Sequence, residues 1–188
     1  MTVRRRHWLR PDVMVPSVLD LTPERLAQWG VRGLVLDADN TLVPRNRYAL
    51  TPEVHAWLDA VRASGVRCCI LSNSASPRKV AAMVSTFDMP ALSLARKPLA
   101  AGFRRALTLL GTTPAETAMV GDQVFTDILG GNRMGLLTVL VRPVSTNDFI
   151  LYRLLGRTLE RPLLRRWQGK IGDGALPEAA ERAPSPIL

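Results

Sequence analysis

Four groups of residues stand out by type and by place: Asp37 and Asp39 within Asp37-Ala38-Asp39-Asn40-Thr41, Ser72 with Asn73, Lys97, and Asp122 with Asp127 after Gly121. Each follows a short apolar run. If those runs are neighbouring parallel strands, the groups meet at the carboxyl edge of the sheet, where open α/β sheets bind ligands. That edge would hold three or four carboxylates, an amine and a hydroxyl. Like charges so close together are costly unless a cation compensates them. Mg²⁺ suits the role, because it takes hard oxygen ligands and keeps waters that a phosphate can replace. Singly, each group has a plainer reading. Ser72 could be a turn residue, Lys97 a solvated lysine before Pro98, and Asp127 an acid at a helix start. At successive strand ends those readings are hard to hold together. Lys97 gains weight because the chain otherwise uses Arg, with Lys79 and Lys170 its only other lysines.

The elements that must position these groups are legible as alternation. Apolar runs at 33–36, 66–71, 91–95, 117–120 and 136–141 read as buried parallel strands. Between them, 52–63, 77–87 and 99–110 read as helices, with a short turn at 113–116. Thr51-Pro52, Ser76-Pro77 and Thr113-Pro114 each set a capping residue before the favoured first helical Pro. Strict β/α alternation predicts a doubly wound, Rossmann-like three-layer fold on a parallel sheet. The expected organisation is a basic lead-in at 1–30, a core at 31–145, a basic amphipathic helical extension at 146–170 and a flexible tail at 171–188. No run reaches the roughly 18 apolar residues of a membrane span, and no apolar stretch follows the basic start, so no secretory signal is predicted. Cys68 and Cys69 are adjacent in a strand and should face opposite sides as reduced core residues, which suits the cytoplasm.

In order and spacing, the four groups resemble the motifs of haloacid-dehalogenase-like (HAD) phosphatases. More narrowly, residues 37–43, Leu71-Ser72-Asn73-Ser74, Ala95-Arg96-Lys97-Pro98, residues 120–127 and residues 130–135 look like the YqeG-type branch. These are subclass IIIA phosphatases related to phosphatidylglycerophosphate phosphatases. The resemblance covers roughly residues 10–155. It implies a Mg²⁺-dependent phosphomonoester hydrolase in which Asp37 attacks phosphorus and binds the metal. Asp39 would act as acid and then base, its carbonyl on the metal, and Thr41 would orient the loop. Ser72, with Asn73 beside it, would donate to phosphoryl oxygens, and Lys97 would neutralise charge. Asp122 would ligate the metal directly, and Asp127 through water or from behind. Such a division of labour is physically sound: a carboxylate nucleophile splits one displacement into two, and fixed cations neutralise the oxygens.

Spacing bears on the substrate. Asp39 to Ser72 is 33 residues and Ser72 to Lys97 is 25, each enough for one helix and one strand. No large cap domain fits, so the site should be open, suiting a phosphate that protrudes from something large. The net charge of +9 is densest over residues 142–170, as expected of a surface that meets lipid phosphate or nucleic acid. Arg153, Arg157 and Trp167 there, and Arg133 nearer the core, are the candidate substrate or membrane contacts. The expected partner is a lipid headgroup at the inner face of an anionic membrane. Nucleic acid is disfavoured, since the chain is only 5% aromatic and lacks a stacking platform. The alternatives are another large phosphorylated substrate, or a non-catalytic assembly protein on the same fold.

Overall fold

The computed structural model describes residues 8–44, 47 and 49–145. Along them run β1 (Val13–Val15), α1 (Pro23–Gln28), β2 (Gly33–Leu36), α2 (Pro52–Ala63), β3 (Arg67–Leu71), α3 (Pro77–Phe87), β4 (Ala91–Leu92), α4 (Ala100–Leu110), β5 (Thr117–Gly121), α5 (Leu129–Met134) and β6 (Leu137–Val141). The strands form one parallel sheet in the order β1-β6-β5-β2-β3-β4. The order reverses beside β2, which places the ends of β2 and β5 at the centre.

Local chemistry sets the helix starts. Thr22 and Thr51 precede Pro at the first helical position and accept from Arg25 N and Val54 N at 3.3 and 3.4 Å. Thr113 and Glu116 form a reciprocal capping box that starts the short 3₁₀ turn Pro114–Glu116,. α4 ends at Gly111, whose φ of 57° a side chain would resist,. Where the expected helices meet solvent and sheet, burial supplies the rest of their stability.

The pleat sorts side chains into two layers. Leu34, Leu36, Cys68, Ile70, Ala118 and Val120 pack with Leu26 of α1 and Val54, Trp57, Leu58 and Val61 of α2. Val35, Cys69, Leu71 and Met119 point the other way, onto Phe103, Ala106 and Leu110 of α4. Cys68 and Cys69 therefore lie on opposite faces, as their adjacency in a strand predicts. Burial pushes both thiols up to about 12, so neither is a thiolate at neutral pH,.

Two features depart from the expected pattern. The core was expected to begin at residue 31, but the sheet reaches back to Val13, where β1 pairs with β6. Leu21 and Leu26 are fully buried, and Trp57 Nε1 donates to Leu21 O at 2.8 Å. A strand of three residues between Pro11 and Pro16 carries too little pattern to read. Its anchorage is tertiary: Asp12 Oδ2 accepts from Thr138 N and Oγ1, at 2.9 and 3.1 Å, and Asn132 Nδ2 donates to Trp8 O and Arg10 O. The second departure is β4, which ends after two residues because Leu94 and Arg96 turn to φ 50° and 51°, incompatible with a strand. The helical extension at 146–170, the tail, and Arg153, Arg157 and Trp167 with them lie outside the described residues.

Candidate active site

The loop after β2 is wound tightly enough to present its carboxylates in one orientation. Asp37 N continues the ladder to Val120 O at 2.9 Å. The N–H groups of Leu42 and Val43 both donate to Ala38 O, at 3.1 and 3.2 Å, and Asn40 N donates to Val43 O at 2.7 Å. This turn needs φ 63° at Asn40, a conformation Asn tolerates better than most residues. Thr41 Oγ1 donates to Asp37 Oδ2 at 3.4 Å from within the same turn.

Lys97 reaches Asp37 from the loop after β4. Its Nζ lies 2.6 Å from Asp37 Oδ1 and 2.7 Å from Asp127 Oδ1. All three side chains are at least nine-tenths buried, Asp127 completely so. Asp127 is presented by one π-helical turn, Val124–Ile128, that leads into α5, and its Oδ2 accepts from Gln123 N at 3.2 Å. One oxygen each of Asp37, Asp122 and Asp127 can be chosen so that all lie within 4.8 Å of one another. Against these three carboxylates stands the single ammonium of Lys97, so the ionised cluster carries a net charge of −2. Burial raises Asp37 from 3.8 to about 6, a rise that Lys97 opposes and the neighbouring Asp127 reinforces. Burial alone would lower Lys97, but Asp127 and then Asp37 outweigh it and raise the lysine above its ordinary value. A hard divalent cation fits this donor set, which offers oxygen ligands only and an excess of negative charge,. Asp39, half-buried, contributes no side-chain oxygen to the trio; the metal role the resemblance implies for it uses its carbonyl.

Ser72 sits buried at the end of β3, with Oγ accepting from Ser74 N at 3.1 Å. Asn73 does something the sequence did not suggest. Its Oδ1 accepts from Lys97 N at 2.7 Å, and its Nδ2 donates to Lys97 O at 3.2 Å. The side chain therefore clamps the backbone of the lysine instead of joining the carboxylates. Arg133 is not brought to the site. α5 leads from the carboxyl end of β5 back toward the start of β6, so Arg133, exposed in its last turn, lies at the opposite edge of the sheet.

Gly121, at the end of β5, has a packing role. A Cβ there would collide with the side chain of Asp127, so only glycine lets that carboxylate approach the strand end. Gly121→Ala is expected to displace Asp127 or the strand end and to cost about 1–3 kcal/mol of stability, read by urea unfolding. Unchanged stability would show that Asp127 needs no such approach.

Comparison with known proteins agrees with this geometry. The family described as HAD-hydrolase-like matches residues 94–148, and that described as mitochondrial PGP phosphatase matches residues 1–89. The chain is 36% identical to the probable phosphatase YqeG of Bacillus subtilis, over 82% of this chain and 88% of the relative. It is 33% identical to the chloroplastic/mitochondrial phosphatidylglycerophosphate phosphatase 1 of Arabidopsis thaliana, over 90% of this chain but about half (51%) of that protein. Among solved structures, the cobalt-bound deoxy-D-mannose-octulosonate 8-phosphate phosphatase of Haemophilus influenzae superposes with a TM-score of 0.50 at 13% identity. It covers 78% of this chain and 92% of its own. The parallel sheet with its carboxylates at the strand ends is thus the HAD fold, and the enzyme class is phosphatase. The chain belongs to the HAD-like phosphatases of the YqeG and phosphatidylglycerophosphate phosphatase type.

Proposed function

We propose that this phosphatase is a Mg²⁺-dependent phosphomonoester hydrolase that works through a phospho-aspartyl intermediate on Asp37 and converts phosphatidylglycerophosphate to phosphatidylglycerol. The observation that carries the chemistry is the Asp37 carboxylate, held 2.6 Å from Lys97 and gathered with Asp122 and Asp127. In the first step an Asp37 oxygen attacks phosphorus, and the ester oxygen leaves with a proton from Asp39. In the second, Asp39 takes a proton from water, whose oxygen attacks phosphorus and releases Asp37 and inorganic phosphate. Lys97 and Ser72 face the phosphoryl oxygens, where cation and hydroxyl stabilise the charge that is redistributed in the transition state. Asn73 positions Lys97 through its backbone. Asp37, Asp122 and the Asp39 carbonyl would hold Mg²⁺, with Asp127 behind them, and the bound metal would supply neutralisation of the phosphoryl oxygens.

The lipid substrate draws support from the named relatives and from the open edge. Between Asp39 and Ser72 the described chain builds only a loop, α2 and β3, and between Ser72 and Lys97 only α3 and β4. With no domain inserted between these groups among the described residues, a phosphate on a membrane surface can enter directly. Among the described residues no helix is long and apolar enough to cross a membrane; the proposed attachment is peripheral, at the cytoplasmic face.

The test is phosphate release from phosphatidylglycerophosphate in mixed micelles with Mg²⁺ or with EDTA. Release should require the metal. Because Asp37 stays protonated below about pH 6 in the metal-free protein, Mg²⁺ must displace that proton in acid. Its apparent affinity should therefore rise with pH up to about 6 and level off above. Metal-dependent release from an aryl phosphate with none from the lipid would keep the hydrolase and remove the substrate.

A further inference from the structure

The loop that carries Lys97 into the site turns its other side chains outward. Ala95 and Lys97 are buried, whereas Leu94 and Leu99 are 56% and 52% exposed and Arg96 is exposed between them. Local structure prefers other residues at both leucines. Leu94 is held at φ 50°, where Asn or Gly is less strained than an aliphatic side chain. Leu99 is the N-cap of α4 and makes no side-chain cap hydrogen bond, where Ser, Thr, Asp or Asn is favoured. Two apolar residues that folding does not need thus stand in solvent beside a phosphate site, and such breaches of local preference concentrate at functional surfaces.

Their placement is part of a rim. Of the exposed large hydrophobics among the described residues, Leu19, Leu94, Leu99 and Val144 sit on segments leaving the carboxyl ends of strands, while Trp8, Val84 and Leu109 lie elsewhere. Val144 flanks the site from the β6 side, its N–H donating to Asn40 O at 2.8 Å; Leu94 flanks it from the β4 side, its N–H donating to Ser74 O at 3.1 Å. Among the described residues, the exposed charges on the loops after β2, β4 and β6 are Arg47, Arg96 and Arg142. The exposed acids described at this edge, Glu24 and Glu53, stand at the starts of α1 and α2, on the other face of the sheet.

We propose that residues 94–99, with Val144 opposite, form a docking lip that seats the site on an anionic bilayer. Leu94, Leu99 and Val144 enter the headgroup boundary, and Arg96 and Arg142 meet lipid phosphates. This surface rests on the lipid-phosphate reading above.

The decisive variant is Leu94→Asn/Leu99→Ser, since each substitution suits the local backbone better than leucine. We expect its Tm and its turnover of p-nitrophenyl phosphate to match or exceed wild type. Its partition onto phosphatidylglycerol-containing vesicles should fall about tenfold or more, together with phosphatidylglycerophosphate turnover in those vesicles. Leu109→Ser, at the far end of α4, should change none of these. A double variant that sediments with vesicles and hydrolyses vesicle substrate as wild type does would overturn the lip while leaving the lipid substrate intact. Wild type that hydrolyses aryl phosphate yet ignores vesicles and their substrate would bring down the lipid reading and the lip together.

Discussion

Asp37→Asn is expected to lower phosphate release by roughly 10⁴-fold or more while the protein folds. The amide keeps the shape of the carboxylate and can still present its one oxygen to Lys97 Nζ, which lies 2.6 Å from Asp37 Oδ1, while its NH2 takes the place of Oδ2 and donates to Thr41 Oγ1, whose hydroxyl turns to accept,. It loses the negative oxygen that forms the bond to phosphorus in the proposed mechanism. Stability should respond in a characteristic way. In the metal-free protein the pKa of Asp37 is raised from 3.8 to about 6. Its favourable contribution is then complete below about 3.8 and is lost as pH rises through about 6. Above that, the buried charge is a cost the variant does not carry. Unfolding in EDTA across pH 4 to 8 should therefore show the variant gaining on wild type as pH rises from about 4 to about 6 and keeping that gain above. Phosphate release within tenfold of wild type would rule out Asp37 as the nucleophile.

Lys97→Met should damage both folding and catalysis. Lys97 is the cation within ion-pair distance of both Asp37 and Asp127, and its side chain is 2% exposed. Removing it leaves two buried carboxylates facing each other without compensation, and breaking a buried pair of this kind costs about 3–5 kcal/mol. Lys97's own pKa is raised, so its stabilising contribution is present throughout the neutral range and would be lost only in strong alkali. Urea unfolding in EDTA should show the full loss, and saturating Mg²⁺ should restore part of it, because the metal supplies charge where the ammonium stood. Turnover should stay low even then, by roughly 10²- to 10³-fold, since the metal cannot also take the lysine's place at the phosphoryl oxygens. If the variant unfolds in EDTA at the wild-type urea concentration, the lysine is not what makes the cluster tolerable.

Much of this was legible before any coordinates. Apolar runs of four to six residues between capped helices define a parallel sheet whichever tertiary details follow, because strands covered on both faces must be apolar along their whole length. Chain order then sends the residue after each strand to the same edge. Asp37, Ser72, Lys97, Asp122 and Asp127 could thus be nominated together from type and position alone. The short spacings between them likewise excluded a large cap domain, since a domain cannot be built from residues that are not there.

What the sequence alone could not decide was how far each element extends and what each polar side chain touches. β1 was missed because Val13–Val15 is too short to show a period, and the bonds that fasten it, to Thr138 and Asn132, come from residues more than a hundred positions away. Arg133, a candidate contact from its place in Gly131-Asn132-Arg133-Met134-Gly135, is carried back across the sheet by α5 and stands in that helix's last turn. Asn73 was grouped with Ser72 by adjacency, and only the packing of two loops shows its amide gripping the backbone of Lys97. The sequence by itself determined the chemical inventory and the sheet edge on which it gathers, through strand pattern and chain direction. Tertiary structure alone decided that one lysine bridges two carboxylates, that Gly121 admits Asp127, and that Leu94 and Leu99 face outward. Those facts depend on distances between segments far apart in the chain, which no local periodicity encodes.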